Sequence, residues 1–368
     1  MMRKQIMKKT AMLLTAALLL SSAAGCGSSG ASGTTAPGTT PAGTAATGDT
    51  TAASGGSGET VTATFCNMLA TDHPQSVAAV EVLAKEISEK TGGKFTIDVQ
   101  VNGALGSDAE TTEATIMGNM NMTGPACATL ATIDSNWYIL DVPYVFMSKE
   151  QARAALDGDL GQYLSDSLEA SCGLICLGYG ESGMRQLSTG SKKVTTPADL
   201  SGLKIRVLEN KYHLATFEAL GANPTPMAFS EVYTALQMNQ VDGQDNPITI
   251  TCTNKFYEVQ KYYTLTEHLF CGNCVVVNAE WFRSLPEDYQ KALRESVDDM
   301  ITEQRRLIDE NEATYLEEMK AKGCEVVTLT DEEKQAFADA TQTVRDDFAA
   351  EFGEAGQTML DMAAKYAQ

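Results

Sequence analysis

The sequence predicts an α/β fold of two lobes with mainly parallel sheets and one long helix that spans both lobes. Strand-like and helix-like segments alternate from Thr60 onward, a pattern typical of layered α/β lobes. The folded part of the chain, about 310 residues, is long for one hydrophobic core and sufficient for two. Helical periodicity then continues from Glu287 to Gly323, which at about 1.5 Å per residue gives a helix about 55 Å long, more than one small lobe is wide.

The N-terminal segment 1–25 has the composition of a lipoprotein signal peptide. Basic residues precede an apolar run over 11–20 that is too short to span a bilayer. Ala23-Ala24-Gly25-Cys26 then resembles a bacterial lipobox, although a larger aliphatic residue is commoner in the place of Ala23. We therefore expect lipid attachment at Cys26 and an extracytoplasmic location on the outer face of the cytoplasmic membrane. The alternative is an ordinary cleaved signal peptide.

Residues 26–58 contain almost only Gly, Ser, Thr, Ala and Pro, a composition that buries too little apolar surface to fold. We expect a disordered linker with a typical reach of about 30 Å, and a fold that starts near Glu59. No later segment is apolar enough to span a membrane. A transport role would therefore need a partner that supplies the membrane pathway.

The chain has a formal charge of −21 and a pI near 4.5. Binding to nucleic acid depends on Lys and Arg that neutralise phosphates, so this charge argues against a nucleic-acid partner. An acidic surface also repels small anions at long range. An anionic ligand would consequently need specific arginines in its site.

Individual elements are predicted from local patterns. Strands are expected over 62–66 and 95–101, separated by an amphipathic helix over 74–90 that Thr91-Gly92-Gly93 terminates. Further along, we expect strands over 173–177 and 203–208, helices over 212–220 and 230–239, and a loop over 186–197.

The long helix is predicted to begin at Ser284-Leu-Pro-Glu287, which has capping-box spacing with proline in the first turn. Apolar residues follow at helical intervals: Tyr289, Leu293, Val297, Ile301 and Ile308. The alternative is two helices broken near 309–311.

Motifs for other chemistry are weak. The segment 178–183 matches G-x-G-x-x-G, but a dinucleotide site needs a helix at the third glycine, and loop-like sequence follows. We expect these glycines to permit a tight crossing between lobes. The histidines, at 73, 213 and 268, form no H-E-x-x-H motif, and G-x-S-x-G does not occur, so nothing in the sequence indicates an enzyme.

Eight cysteines follow Cys26, mostly within apolar, strand-like sequence: 66, 127, 172, 176, 252, 271, 274 and 324. We interpret them as buried free thiols, with disulfides as the alternative in an oxidising compartment. Cys271 and Cys274 have C-x-x-C spacing without a second pair, so we expect no metal site.

Arg206 is the most informative single residue. Ile205 and Val207 occupy one face of a predicted strand, so Arg206 emerges on the other. An arginine on a core strand needs a partner, and its planar fork matches a carboxylate. From the pattern alone, that carboxylate could belong to a ligand or to an internal Asp or Glu.

The segments 199–207 and 223–247 resemble the central signature of the DctP family, the solute-binding proteins of tripartite ATP-independent periplasmic (TRAP) transporters. Block 227–247 especially resembles the sialic-acid-binding branch. Further stretches resemble family sequence in family order and extend the likeness to essentially the whole folded region: 72–74, 89–94, 105–106, 140–146, 255–261 and 284–287.

The resemblance implies a type II periplasmic-binding-protein-like fold whose lobes close around a ligand. It implies lobe I over 59–182 plus 272–308 and lobe II over 183–271 plus 309–368. We expect a monomeric, non-enzymatic protein without cofactor or metal. Its partner would be a membrane permease driven by an ion gradient.

The resemblance also implies a ligand: a sugar acid such as a uronate or sialic acid, or a C4-dicarboxylate. Arg206 would pair with the ligand carboxylate, and Arg185 would be a second arginine near it. Asn246 would hydrogen-bond the same end of the ligand. Phe229 would pack against the ligand body.

Contacts from the first lobe are less defined, because this chain has Gly103-Ala-Leu-Gly106 where the family often has Gly-Gln-Leu-Gly. We expect Asn67 and His73 there, with solvent-facing or helix-capping roles as the alternatives. Two other functions stay open from the sequence: the binding lipoprotein of an ATP-driven importer, and an anchored enzyme that acts on sugar acids.

Overall fold

The computed structural model describes residues 60–367. The predicted signal peptide over 1–25, the lipidation site at Cys26 and the linker over 26–58 lie outside the described residues.

Nine strands form one sheet: β1 Val61–Cys66, β2 Phe95–Gln100, β3 Met122–Thr123, β4 Leu174–Thr189, β5 Lys204–Val207, β6 Asn223–Pro226, β7 Gly243–Asn246, β8 Tyr262–Asn278 and β9 Glu325–Thr328. The helices are α1 Pro74–Ala78, α2 Ala84–Lys90, α3 Asp108–Ile116, α4 Cys127–Leu130, α5 Lys149–Leu156, α6 Asp159–Cys172, α7 Lys211–Ala219, α8 Val232–Gln237, α9 Ile248–Thr253, α10 Ala279–Ser284, α11 Glu287–Ala321, α12 Asp331–Ala340 and α13 Gln342–Ala364. A π-helical segment, Ala79–Leu83, joins α1 to α2.

Most predicted elements are confirmed to within about two residues at each end, the usual uncertainty of such boundaries. The loop predicted over 186–197 is partly wrong, because β4 continues to Thr189. This end of β4 pairs on both sides, with β7 and with β8. Tertiary pairing here orders a segment, Gln186-Leu-Ser-Thr189, whose local sequence has no clear strand pattern.

The sheet has the order β2-β1-β3-β8-β4-β7-β5-β6, and β9 also pairs with β8. Five pairings are parallel and three are antiparallel, which confirms a mainly parallel α/β fold. The longest pairing, however, is antiparallel. It joins β4 to β8 from Leu174 opposite Asn278 to Thr189 opposite Tyr262. These two strands run from the β1–β3 region to the β5–β7 region and so connect the two lobes.

Helix α11 is one continuous helix of 35 residues, so the break considered near 309–311 does not occur. The predicted capping box is also wrong. Ser284 is the last residue of α10, its hydroxyl donates to the carbonyl of Trp281, and Pro286 precedes α11 as a cap without a side-chain bond. Leu293 packs in the same core as β1 and β2, whereas Met319 packs in a cluster with α9 and β8.

Two glycines of the 178–183 segment lie in β4 directly beneath α11. A Cβ atom on Gly178 would lie 3.2 Å from side-chain carbons of Val297 and Ile301. On Gly180 it would lie 2.2 Å from the side-chain oxygen of Gln304. The motif is therefore a strand in which glycines allow a helix to approach closely, as expected for a tight crossing.

The eight cysteines of the described chain are free thiols, and all except the partly buried Cys172 are buried. Within residues 60–367, no helix has the length and hydropathy required to cross a membrane.

Candidate functional site

Arg206 is a buried cation whose only hydrogen-bond partner in the described chain is a backbone carbonyl. Its neighbours Ile205 and Val207 point into an apolar cluster, and the guanidinium lies on the opposite face of β5 with 0% of the residue exposed. Nε and Nη2 donate to the carbonyl oxygen of Met227 at 3.1 and 2.6 Å. The third nitrogen, Nη1, is buried without a partner.

The charge of Arg206 is not neutralised by direct contact. Burial lowers its pKa to about 10, while the more distant carboxylates of Asp245 and Glu209 act in the opposite direction. The guanidinium is thus still protonated at neutral pH. The internal bridge considered from the sequence does not form, since no Asp or Glu of the described chain makes an ion pair with Arg206.

Arg185, in contrast to Arg206, is in direct contact with a carboxylate. Its Nε donates to Asp245 Oδ2 at 2.6 Å, and its Nη1 donates to Cys271 Sγ at 3.2 Å. Burial alone would raise the pKa of Asp245, but the charge of Arg185 and hydrogen bonds from His268 and Arg185 hold that pKa well below its ordinary value. Arg185 and Asp245 therefore form a buried internal ion pair.

A cavity of about 320 Å³ opens beside Arg206. Its walls come from Met68, from 107–109 at the start of α3, from Ala128, Thr129 and Thr132 in and just after α4, from Arg206 and 208–210 at the end of β5, and from 227–230. Its volume is at the lower end of the range for small-molecule sites. The two walls belong to chain segments on either side of β4, as expected for a cleft between lobes.

A larger, more open cleft of about 650 Å³ lies between α6, β4 and α11, but it contains none of the predicted site residues. Two ion pairs lie along it, Arg283 with Glu169 and Asp157 with Arg305, and its remaining charged residues, Asp166, Arg294 and Asp298, are exposed. Because the charged residues of this cleft are mostly exposed, whereas Arg206 is a buried cation, we assign the ligand site to the cavity beside Arg206.

Of the other residues predicted for the second lobe, Phe229 lines this cavity and packs against Phe256, with ring centroids 6.0 Å apart. Asn246 does not line it. The Asn246 side chain is buried in β7 and donates to the amide oxygen of Gln244. Its role as a ligand contact stays a prediction, as does that of Arg185.

Asn67 and His73 also lie away from the cavity. His73 caps α1, since its Nδ1 accepts from the backbone N–H of Gln75, and its Nε2 lies 3.1 Å from the hydroxyl of Ser182 in β4. Burial lowers the pKa of His73 to about 3, so the ring is neutral. Asn67 donates to Gln75, which in turn donates to Asn273 in β8. The helix-capping alternative thus describes His73, and both residues tie the first lobe to the crossing strands.

Most of the cavity lining was not predicted from the sequence, including its two acidic residues, Asp108 and Glu209. A signal existed for the first of them. Ser107-Asp-Ala-Glu110 has capping-box spacing, and Ser107 and Glu110 do form that box at the start of α3. Recognising this helix start would have placed Asp108 in the first turn of α3.

The chain matches the family model DctP, described as bacterial extracellular solute-binding protein, family 7, over residues 65–351. It is 36% identical over 263 residues to the 2,3-diketo-L-gulonate-binding periplasmic protein YiaO of Escherichia coli, which covers 71% of this chain and 79% of that protein. It is 33% identical over 298 residues to the C4-dicarboxylate-binding periplasmic protein DctP of Rhodobacter capsulatus, covering 80% of this chain and 88% of that protein.

Among solved structures, the chain is similar to the sugar acid binding protein DctPAm of Advenella mimigardefordensis in complex with galactonate. The TM-score is 0.80 at 31% sequence identity, and the match covers 84% of this chain and 99% of that one. This likeness confirms the two-lobed, periplasmic-binding-protein-like architecture.

Proposed function

Because the chain belongs to the DctP family of bacterial extracellular solute-binding proteins, we propose that it captures a small organic acid beside Arg206 and delivers it to a TRAP permease by closing its lobes. The ligand is a sugar acid, such as a uronate or sialic acid, or a C4-dicarboxylate. The names of the relatives support both classes, since they include a diketogulonate binder, a C4-dicarboxylate binder and a galactonate complex. This family membership does not favour the ATP-driven importer or an anchored enzyme.

One observation carries the proposal: Arg206 is a buried guanidinium at a cavity wall, and a carbonyl is its only partner in the described chain. Burying an unpaired charge costs several kcal/mol (order of magnitude), so this position is favourable only when an anion can approach it. A ligand carboxylate would supply the missing charge and accept two parallel N–H bonds from the planar fork.

The other predicted contacts fit around this anchor in different ways. Arg185 is held by Asp245, so it would contribute positive charge near the ligand carboxylate without direct pairing. Phe229 would cover the ligand body from the cavity wall. Asn246 would reach the ligand only by giving up its bond to Gln244.

Closure is supported by the β4–β8 crossing. The register between these strands shifts between Glu181 and Gly183, where φ of Gly183 is +105°. The proposed lobe boundaries, 182/183 and 271/272, fall at this irregularity. A carboxylate is hydrated in an open cleft, and we propose that only closure completes its protein partners, so that binding favours the closed state.

We also propose that Cys26 is lipidated and holds the monomer at the outer face of the cytoplasmic membrane. The lipobox-like segment 23–26 and the linker composition support this. Membrane fractionation of a Cys26→Ser variant tests it, because unchanged membrane association would contradict lipid anchoring.

We expect Arg206→Ala to weaken binding of the organic acid by about 3 to 5 kcal/mol, two to four decades in Kd, because the ligand charge is left unpaired. Arg206→Lys should also bind poorly, since an ammonium cannot reproduce the bidentate geometry. A thermal-shift screen over organic acids first identifies a ligand, and titration calorimetry then measures Kd for each variant.

The matched control is Lys204→Ala. Lys204 lies on the same strand, but it is exposed and does not line the cavity. This variant should bind like the parent protein. A loss of less than tenfold in Arg206→Ala, or an equal loss in Lys204→Ala, contradicts the assignment of Arg206 as the anchor.

A further inference from the structure

The cavity lining contains more acidic than basic residues. Its lining includes one cation, Arg206, and two acidic residues, Asp108 and Glu209. A site that binds an organic anion would be expected to avoid carboxylates unless they have a separate use. The positions of Asp108 and Glu209, and the hydrogen bonds that each can still accept, indicate what that use is.

Asp108 is the first residue of α3, on the wall that faces the end of β5. It is partly buried, and its Oδ2 accepts one hydrogen bond, from the backbone N–H of Ala126 at 3.2 Å. No Lys or Arg of the described chain pairs with it. A carboxylate has about four acceptor sites, so Asp108 keeps most of its capacity for donors in the cavity.

Glu209 lies three residues after Arg206, beyond the end of β5. It is exposed and forms no hydrogen bond or ion pair within residues 60–367. It is nevertheless near enough to Arg206 for its charge to act on that side chain. The lining thus combines one buried guanidinium with two carboxylates, one at the start of α3 and one beyond the end of β5.

Building on the proposed function, we infer that this cavity selects polyhydroxylated monocarboxylates, such as aldonates and uronates, and rejects ligands with a second carboxylate. The single ligand carboxylate pairs with Arg206. Hydroxyl groups along the ligand then donate to Asp108 and Glu209, and hydrogen bonds to ionised acceptors are stronger than bonds between neutral groups.

A dicarboxylate brings a second acceptor-only group into the cavity, even where, as in D-glucarate, it also carries hydroxyl groups. Its second carboxylate can only accept hydrogen bonds at neutral pH, so it offers no proton to Asp108 or Glu209. It also places a third negative charge beside two existing ones, and like charges in a confined site repel. Selection is thus achieved by groups that oppose the wrong ligand as well as by groups that bind the right one.

The test uses ligand pairs that differ at one carbon. D-gluconate and D-glucuronate are each compared with D-glucarate, and D-galactonate with D-galactarate; succinate is the C4 dicarboxylate. Calorimetry at pH 7.5 measures Kd for each acid. We expect at least one monocarboxylate to bind ten times or more tighter than its dicarboxylate counterpart and than succinate.

The variants are Asp108→Asn and Glu209→Gln, which remove charge with little change of shape. Each should reduce the ratio between dicarboxylate and monocarboxylate Kd at least threefold, chiefly because the dicarboxylate binds better. Glu209 is exposed, so its variant stays informative even if Asp108→Asn folds poorly.

The inference is overturned if succinate or an aldarate binds as tightly as the monocarboxylates, or if neither variant changes the ratio. The proposed function is judged separately by Arg206→Ala. Tight dicarboxylate binding that is lost in Arg206→Ala leaves that function standing and rejects only the selectivity. Binding that survives Arg206→Ala rejects the function itself.

Discussion

At the scale of single residues, Arg206 and Arg185 show which environments the sequence predicts and which it does not. The strand pattern predicts that Arg206 leaves the apolar face of β5, and the structure confirms this. The pattern does not distinguish Arg206 from Arg185. Asp245, the partner of Arg185, is 60 residues away in the chain, and only the pairing of β4 with β7 brings them together.

His73 is a second case. Its sequence position suggests a ligand contact, but the structure makes it a buried cap that links α1 to Ser182. Proximity of His73 to the crossing strands depends on burial of the whole first turn of α1, which a local pattern does not reveal. Its neutral state has a measurable consequence for stability.

We expect His73 to make stability depend on pH. Its pKa is about 3 in the folded chain and about 6.5 when unfolded, so the unfolded state binds more protons between these values. The contribution of neutral His73 to the free energy of unfolding should be fully present above about pH 6.5. It should be lost as pH falls toward 3, with a slope of about 1.4 kcal/mol per pH unit.

His73→Asn keeps a capping side chain but cannot titrate. Urea unfolding at pH 4.5, 5.5 and 6.5 should give a pH slope smaller than that of the parent by about 1.4 kcal/mol per unit. His268, whose pKa is also lowered by burial, is unchanged in both proteins and cancels in the difference. Equal slopes would show that His73 is protonated in the folded chain.

At the scale of elements, the sequence predicts most strands and helices but misses where β4 ends. Segment 186–189 has few strand-forming residues, and it is ordered by partners on both sides. The capping residue of α11 is missed for a related reason, although the helix begins within the predicted segment. Ser284 has the right spacing for a cap, yet it is used to end α10, because a short helix before Pro286 cannot be inferred from a three-residue spacing.

The close approach of α11 to β4 gives a prediction at this scale. Gly180→Ala places a methyl group against Gln304 and Asn273, whose side-chain oxygens would lie 2.2 and 2.6 Å away. We expect it to destabilise the fold by about 1 to 3 kcal/mol, as overpacking of a core does. Gly190→Ala, where the nearest atom is 3.5 Å away, is the matched control and should be nearly neutral. Urea unfolding measures both, and equal effects would argue against a tight crossing.

At the scale of the whole molecule, alternation of strands and helices predicts the two-lobed α/β fold, and helical periodicity predicts the long helix. The single continuous sheet is not predicted. It depends on the pairings of β3 with β8 and of β4 with β8, which join residues about 70 to 155 positions apart in the chain. Such pairings depend on non-local contacts that no local pattern encodes.

If binding closes the two lobes, saturating ligand should decrease the radius of gyration of the protein. Small-angle X-ray scattering measures this directly on the whole chain. Arg206→Ala should show no decrease at the same ligand concentration, because the carboxylate has no partner that favours the closed state. A radius that stays constant for the parent protein with ligand bound would contradict closure.

Arg206, whose side chain bonds only the Met227 carbonyl in the described chain, also reflects a compromise between stability and ligand binding. A methionine at 206 would fill similar space without a charge to desolvate, so a sequence optimised for durability alone would not keep arginine there. The difference in melting temperature between an Arg206→Met variant and the parent protein, both without ligand, is therefore a measure of the stability that the binding arginine costs.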